Sequence, residues 1–543
     1  MTCSKLFSGE LSELTNEIIQ YLRKDFSTLY SCILVNRLWC RLTIPLLWED
    51  TFSIKEPKNY HFIEIYLHFL NEDSKAKFNE YGFNNVLEFT NTLFNYPSFI
   101  KYLDTSKICG SIVNWISTLV EIYNEKLGEL VYESLLEVFI ENELNLHTFE
   151  VELLPVGIYK YSIDNMRILQ NQNLTCNIRN LTLNFFVITT QNILYLKFLY
   201  SNCKSISSFV IRLPKSNDDS LLIEKVISQM IISQNDLKKI LFGYSDIYYN
   251  PFLSLKNSNC SNTLNTIIFY YIDFKSIVNI LQEVFDQLNV LESIHILYCN
   301  SLNSDFVQQI INIIKPFKLR SLFMNKILHV ESLQLLLEKF GNCLENFGLG
   351  DRYLRYKCKE PISVKRQLSG FIMKYCKKIR YFDSGISDDN NIYLIIKNQH
   401  NINYLTIEVD FHDDCNNLSL TVLQNLGQVL PPKLEYLCLS LSLSTYYLEI
   451  FLNNSQNTFI KKLLFRNMAL DKDEKILFCI KKYTMKKDRV KYLAILGKDN
   501  EDELFLLKDE VNEFKLHNII VQPYVNLYIN NTYNYIKDNY LEF

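Results

Sequence analysis

Residues 410–415, DFHDDC, carry side chains of the types that bind metal ions. A zinc site needs several ligands, most often His or Cys, that converge on one point. This segment holds a single histidine and follows a predicted strand anchor, Ile407. We therefore interpret it as a solvated acidic loop and predict no bound metal.

Other catalytic motifs are weak. Gly348 and Gly350 form a lone G-x-G without a third glycine, and no P-loop motif occurs. The 8 histidines are scattered; His295 lies in a predicted strand and is interpreted as a surface or groove residue. No nucleophilic side chain lies at a sequence spacing that would pair it with a general base. The sequence therefore predicts that the chain is not an enzyme and has no cofactor.

Composition restricts the classes of partner. The net charge is −4 and 21% of residues are charged. A nucleic-acid-binding protein needs a strongly basic surface, so no nucleic-acid partner is expected. No run of about 18 apolar residues is present, so no membrane span is expected. The 14 cysteines include no C-x-x-C pair, and the opening MTCSKLFSGE shows no secretory signal. These features favour a reducing compartment, the cytoplasm and/or the nucleus.

The N-terminal segment predicts three short amphipathic helices. Apolar residues recur at four-residue spacing from Leu14 to Leu22, which places them on one helix face. Asp25 and Ser27 are candidate caps for a second helix, and Asn36 is the candidate cap of a third. So small a unit cannot bury all of its apolar surface, so we interpret it as a docking module.

This module resembles an F-box, the three-helix motif that attaches substrate receptors to the adaptor of a Skp–cullin–F-box ubiquitin ligase. The resemblance rests on L-x-x-L-x-x-E-I-I-x-Y-L from Leu11 and C-x-L-V-N-R-L-W from Cys32. The family usually has Pro after the first Leu, where this chain has Ser12. An ordinary helical hairpin is the alternative.

The resemblance implies a Skp-type adaptor as partner and, through it, a cullin–RING ligase. Eight apolar residues are predicted to contact the adaptor, with the last partly in the core: Leu11, Leu14, Ile18, Leu22, Leu34, Val35, Leu38 and Trp39. The sequence does not identify the protein substrate.

A strand-like hexad of the form L-x-x-L-x-L recurs through the rest of the chain. The intervals between successive hexads average about 28 residues, near the length of long leucine-rich repeats. The hexads begin at Leu146, Ile178, Ile206, Leu237, Leu264, Leu291, Leu319, Leu344, Ile379, Ile402, Leu434, Ile460, Val490 and Leu516. Helical stripes lie between them, as at residues 223–231, 277–288 and 333–340.

A repeat of strand, turn and helix buries its core only by stacking on its neighbours. The unit at residues 291–302, with Cys299 after the strand, resembles the cysteine-containing leucine-rich repeats that often accompany F-boxes. We predict an α/β solenoid, a horseshoe with parallel concave strands and outer helices. A generic α/β domain is the alternative. The predicted segments are the docking module (1–50), a helical connector and cap (51–145), the solenoid (146–523) and a C-terminal cap or tail (524–543).

Tyrosine recurs at one position of the hexad. The residue before the second anchor points away from the core, toward the concave face. It is tyrosine in four hexads, more often than 35 tyrosines in 543 residues would give by chance: Tyr381, Tyr404, Tyr436 and Tyr492. The first three are expected to form a contiguous ladder, with Lys462 before the fourth. We predict that they bind substrate, and simple cross-strand packing is the alternative.

Taken together, the sequence predicts a non-catalytic substrate receptor of a Skp–cullin–F-box ligase. The alternative is a leucine-rich-repeat scaffold that binds a protein without assembling into a ligase.

Overall fold

The computed structural model describes residues 11–23, 25–54, 57, 59–81, 92–119, 124–153, 172–187, 190–214, 220–245, 248–257, 259–325, 329–349, 362–383, 391–409, 415–468, 475–485, 489–497, 503–529 and 532–541. The chain forms two compact units, Met1–Leu264 and Asn265–Phe543.

The first unit begins with three short helices that close a small core. They are α1 (Ser12–Tyr21), α2 (Phe26–Ile33) and α3 (Arg37–Leu47). Asp25 and Asn36 cap the second and third helices, as predicted, because their side-chain oxygens accept hydrogen bonds from backbone N–H groups at 3.0 and 2.9 Å. The three helices share one apolar core, made of Ile19, Leu29, Cys32, Trp39, Leu46 and Leu47.

Helices predominate among the described residues of the connector. They are Phe62–Leu67, Glu72–Asn79, Thr105–Leu119 and Glu125–Glu141, with 3₁₀ turns at Thr51–Ser53 and Tyr96–Phe99. The connector also holds an unpredicted strand, β1 (Tyr102–Asp104), which pairs in parallel with β2 (Thr148–Leu153). The hexad pattern did not predict β1 because the position of its third apolar anchor is taken by a polar residue, Thr105. The Thr105 hydroxyl accepts a hydrogen bond from the Glu152 N–H at 3.1 Å. The parallel strands therefore begin with β1, one strand before the predicted start of the solenoid at residue 146.

The docking module joins the first strand through its backbone. The Glu49 carbonyl accepts hydrogen bonds from the N–H groups of Lys101 and Tyr102, at 3.0 and 3.1 Å. The Lys101 carbonyl accepts from His147 and Thr148 in the same way, at 2.9 and 3.0 Å. Glu49 thus occupies the place of a preceding repeat, and the module continues directly into the solenoid.

Among its described residues, the first unit contains five parallel strands in chain order. After β1 and β2 come β3 (Asn180–Phe185), β4 (Ser208–Arg212) and β5 (Lys239–Gly243). Helical segments lie between the later strands and after β5: Gln172–Thr175, Thr190–Asn202, Ser220–Ile232, Tyr249–Ser254, Leu255–Asn257 and Asn259–Asn262.

In the described part of the second unit there are ten parallel strands, also in chain order. They are β6 (Thr266–Tyr270), β7 (Ser293–Leu297), β8 (Lys318–Met324), β9 (Asn346–Leu349), β10 (Tyr381–Asp383), β11 (Tyr404–Glu408), β12 (Lys433–Leu441), β13 (Phe459–Asn467), β14 (Val490–Leu496) and β15 (Ile520–Val521). Helical segments alternate with them: Phe274–Ser276, Val278–Ile280, Leu281–Phe285, Ser304–Asn312, Val330–Phe340, Gly341–Cys343, Ile362–Tyr375, Asn391–Asn398, Cys415–Leu426, Thr445–Asn454, Lys475–Thr484, Leu504–Leu506 and Lys508–Leu516. The chain ends in Tyr524–Leu527, Thr532–Ile536 and a π-helical turn, Lys537–Leu541.

The predicted fold class is confirmed, since all fourteen hexads fall on strands β2 to β15. Their first anchors are buried, with one exception. Leu516 is 83% exposed because it ends a helix, and β15 is anchored instead by Ile519 and Val521. The stripe at residues 277–288 is buried as predicted, but only Leu281–Phe285 within it is α-helical.

Candidate protein-binding surfaces

Helices α1 and α2 present apolar side chains to solvent. Phe26, Tyr30 and Leu34 follow one another at four-residue spacing, so they lie on one side of α2 and its C-cap. Their exposed fractions are 40%, 67% and 80%. On α1, Leu14 and Tyr21 are exposed by 43% and 92%. Other side chains have already closed the core of the module, so this apolar surface is available to a partner.

The predicted adaptor-contact residues differ in exposure. Three are exposed: Leu14, Leu34 and Val35. Four are half-buried: Leu11, Ile18, Leu22 and Leu38. Trp39 is only 7% exposed and lies in the core of the module, so it positions the helices. Trp39 was predicted to lie partly in the core, and adaptor contact by all eight residues stays a prediction. The sequence reasoning missed Phe26 and Tyr30, although their spacing to Leu34 was the available signal.

A buried carboxylate ties the docking module to β1. The Glu49 side chain is 4% exposed and lies 2.7 Å from Arg23 Nε and 3.8 Å from Lys101 Nζ. Burial raises the pKa of Glu49, while the charges of Arg23 and Lys101 act in the opposite direction. Removing either cation would leave a buried carboxylate less compensated, which would destabilise the contact between the module and its strand.

The second unit contains the predicted tyrosine ladder. Tyr404 pairs in register with Tyr381 on one side and Tyr436 on the other. Ring centroids are 6.2 Å apart in both pairs. Lys462 separates Tyr436 from Tyr492, as predicted. The same row continues beyond Tyr381 through polar residues of β9, β8 and β7, namely Asn346, Ser321 and His295.

The C-terminal segment lies along this row. We call residues 524–541 the tail; residues 530 and 531 within it lie outside the described chain. The ring of Tyr535 is 4.8 Å from the rings of both Tyr381 and Tyr404, measured between centroids. The Ile529 N–H donates a hydrogen bond to the Tyr436 hydroxyl at 3.2 Å. The C-terminal segment was predicted to be a cap or tail, and its contacts extend across the sheet.

Further tail contacts reach β6 and β7. The ring of Tyr533 stacks on Tyr270 with centroids 4.8 Å apart. The Thr532 and Tyr298 hydroxyls are hydrogen-bonded at 2.7 Å. Tyr298 has a φ of 56°, a left-handed conformation that bulky residues rarely adopt.

The tail covers the residues predicted to bind substrate. Tyr436 and Tyr381 are 0% and 1% exposed, and Tyr404 and Tyr492 are half-buried. The first two are therefore buried and closed to solvent. Adjacent tyrosine rings form a broad apolar surface, and the aromatic tail removes it from water. Whether any of the four binds substrate stays a prediction.

His295 lies beneath the end of the tail. The ring of Tyr540 is 4.3 Å from the imidazole, between centroids, and the imidazole Nδ1 lies 2.7 Å from the Ser321 hydroxyl oxygen. Burial, and secondarily the charge of Arg320, lowers the pKa of His295 to about 3. The imidazole is therefore neutral in the folded protein at physiological pH. His295 was predicted to be a surface or groove residue. It lies in the row of residues that the tail crosses, and it is fully buried.

Metal ligands and cysteine thiols are the potentially reactive groups considered among the described residues. Within them, no three His, Cys, Asp or Glu side chains are grouped so that they would hold a metal ion. Residues 410–414, the acidic loop of the sequence, lie outside the described chain. Burial raises the pKa of Cys299 and Cys376 to about 12, so these thiols are protonated and poor nucleophiles. No helix in the described ranges has the length and apolar character needed to cross a membrane.

Two solved structures that match this chain share little sequence with it. A chain of the yeast Rad7–Elc1 complex is 12% identical, with a TM-score of 0.39; the match covers 72% of this chain and 91% of that one. The leucine-rich repeat-containing protein LegL7 from Legionella pneumophila is 12% identical, with a TM-score of 0.32, over 68% of this chain and 97% of that one. No family model and no curated protein matches the chain. The fold class therefore rests on the strands and repeats of the chain itself.

Proposed function

We propose that this chain is a non-catalytic substrate receptor of a Skp–cullin–F-box ubiquitin ligase. Its N-terminal helices bind the Skp-type adaptor, and its leucine-rich-repeat solenoid binds the protein to be ubiquitinated. The receptor does no bond chemistry. It raises the effective concentration of substrate lysines near a ubiquitin-charged enzyme that the cullin recruits. We place this function in the cytoplasm or nucleus, consistent with the reducing compartment that the cysteine pattern favours.

One observation carries the proposal: the docking module has surplus apolar surface after closing its own core. Leu34 is 80% exposed and Tyr30 is 67% exposed, while Ile19 and Leu29 between the same helices are fully buried. An isolated solvent-facing helix pair gains nothing from such residues. A partner that covers them removes apolar surface from water and supplies the binding energy.

The buried Glu49 contacts support the proposed mechanism. Proximity catalysis needs a stiff connection between the adaptor-binding helices and the substrate-binding repeats. Glu49 supplies it twice, through its carbonyl in the strand ladder and through its carboxylate between Arg23 and Lys101. A flexible linker at this point would dissipate the positioning that the ligase requires.

The second candidate is a solenoid scaffold that binds a protein outside any ligase. It explains the repeats but gives no role to the exposed side chains of α1 and α2. The two candidates therefore differ in what the docking module binds.

The test replaces exposed residues that leave the core of the module intact. We expect the double variant Leu14→Ala, Leu34→Ala to lower adaptor affinity by about 2–4 kcal/mol, since both are candidate anchors of the interface. Leu221→Ala is the matched control, because Leu221 is an equally exposed leucine (78%) on a helix of the same unit. Adaptor binding is measured by calorimetry with the full chain.

Two results would contradict the proposal. One is adaptor affinity that the folded double variant retains in full. The other is an equal loss in the Leu221→Ala control, which would indicate a general defect of the chain. Circular dichroism of all three proteins establishes that they are folded.

A further inference from the structure

We call the row of strand residues that the tail covers, from His295 to Tyr436, the groove. The tail contacts this groove and its borders through tyrosine hydroxyl groups as well as rings. The Tyr528 hydroxyl donates to Glu408 Oε1 at 3.1 Å, and the Tyr540 hydroxyl donates to Glu345 Oε2 at 2.9 Å. Asn346 Nδ2 in turn donates to the Tyr540 oxygen at 2.9 Å. A carboxylate only accepts hydrogen bonds, so both sites require a hydroxyl that still carries its proton.

The rings of the tail occupy separate places on the groove. Tyr535 lies against both Tyr381 and Tyr404, and Tyr533 stacks on Tyr270. Tyrosine supplies a large rigid contact and a polar end, the combination used at peptide-binding surfaces. The groove therefore has ring contacts and hydroxyl acceptors set for several tyrosines of one segment.

The tail leaves part of the groove without hydrogen bonds. His295 Nε2 and Asn346 Oδ1 are buried and have no hydrogen-bond partner among the described residues. Both residues are 0% exposed and lie in the row that the tail crosses. Buried polar atoms without partners disfavour the state that buries them. A segment that satisfied these two atoms would bind better than the tail does.

We propose that this groove is a docking site for a tyrosine-bearing segment of a partner protein, and that the tail occupies it as an intramolecular competitor. The inference rests on the proposed function, because it names the ligand class of the receptor surface. The partner segment presents unmodified tyrosines at spacings like those of Tyr528, Tyr533, Tyr535 and Tyr540. It binds by displacing the tail.

The same chemistry excludes phosphotyrosine. A phosphate at Tyr528 or Tyr540 would replace the donated proton with a charge of about −2 at neutral pH. It would then face the carboxylates of Glu408 and Glu345 at hydrogen-bond distance. Phosphorylation of the ligand segment would therefore prevent docking.

The experiment uses a fluorescent synthetic peptide of residues 524–541 and the full-length chain. In the unmodified chain the tail competes at the high effective concentration of a tethered segment. We expect the variant Tyr533→Ser, Tyr535→Ser, whose own tail is weakened, to bind the peptide at least about tenfold more tightly than the unmodified chain does. Tyr446→Ser removes a tyrosine that is 67% exposed on a helix of the same unit, and it should bind like the unmodified chain.

A second peptide tests the ligand class without altering the fold. Phosphorylation at the positions of Tyr528 and Tyr540 should weaken binding to the tail variant at least about tenfold. Equal affinity for the two peptides would overturn the assigned class. Equal affinity of the folded tail variant and the unmodified chain would overturn displacement.

Hydrogen exchange on the unmodified chain keeps the proposal testable if the variant fails to fold. A displaceable tail exchanges its amides, including that of Ile529, faster than the strands of the ladder do. Exchange as slow as in β11 and β12 would make the tail a fixed part of the fold and overturn the proposal. A stable dimer that exchanges tails between copies would also overturn it. Because no adaptor is present, failure of these assays is distinct from failure of the ligase role.

Discussion

Acidification is expected to destabilise the second unit through His295. Burial under the tail, with the charge of Arg320, lowers the pKa of this imidazole from 6.5 to about 3. In the unfolded chain the imidazole is solvated and titrates near its usual value of about 6.5. Between these two values the unfolded state binds more protons than the folded state, so stability falls as the pH falls.

The size of the effect follows from the two pKa values. The contribution is fully present above pH ~6.5 and decreases by about 1.4 kcal/mol for each pH unit below it, until about pH 3. At pH 5 the expected loss is therefore about 2 kcal/mol. The positive charge that acts on the imidazole is the Arg320 guanidinium, and Nη1 of this group lies 2.5 Å from Glu345 Oε1. The neutral neighbours of the imidazole are the Tyr540 ring and the Ser321 hydroxyl.

Hydrogen exchange of the β7, β8 and β9 amides at pH 7 and pH 5 measures this loss locally. Between pH 7 and pH 5, the stability of the His295→Gln variant should fall by about 2 kcal/mol less than that of the unmodified chain, because glutamine does not titrate. His400→Gln removes an exposed histidine of the same unit and should behave like the unmodified chain. Burial also lowers the pKa of His147, but this residue is common to all three proteins and its effect cancels. The same pH dependence in His295→Gln and in the unmodified chain would refute the reasoning.

Two further substitutions test the packing that positions these surfaces. Gly348→Ala should destabilise the second unit by about 1–3 kcal/mol, because its added Cβ would lie 2.5 Å from Cδ1 of the Phe323 ring; thermal unfolding measures the change, and an unaltered midpoint would contradict the packing. Asn36→Ala should destabilise α3 by about 1 kcal/mol, because it removes the cap on the Trp39 N–H; faster amide exchange in α3 checks the loss, and unchanged exchange would contradict the role of the cap.

The strands could be predicted from the sequence because each depends on a local pattern. A hexad places three anchors on one face within six residues, and burial of those anchors makes the strand. Local patterns failed where a polar group replaced an anchor, as Thr105 does beside β1. The hexad at Leu516 matched β15 only through its second and third anchors, because Leu516 itself ends a helix.

The candidate sites were harder to predict because they depend on contacts between distant residues. The tyrosine ladder follows from strand register, so Tyr381, Tyr404 and Tyr436 were found in advance. The tail that covers them was not, since Thr532 meets Tyr298 across 234 positions of the chain. No periodicity within either segment specifies such a contact.

Purification of the intact chain under native conditions tests the central claim most directly. The proposed function predicts that a Skp-type adaptor and a cullin purify with the chain, and that both are lost from the Leu14→Ala, Leu34→Ala variant but retained by Leu221→Ala. Recovery of the chain with other bound proteins, but with neither adaptor nor cullin, would contradict the ligase role and leave the scaffold as the function.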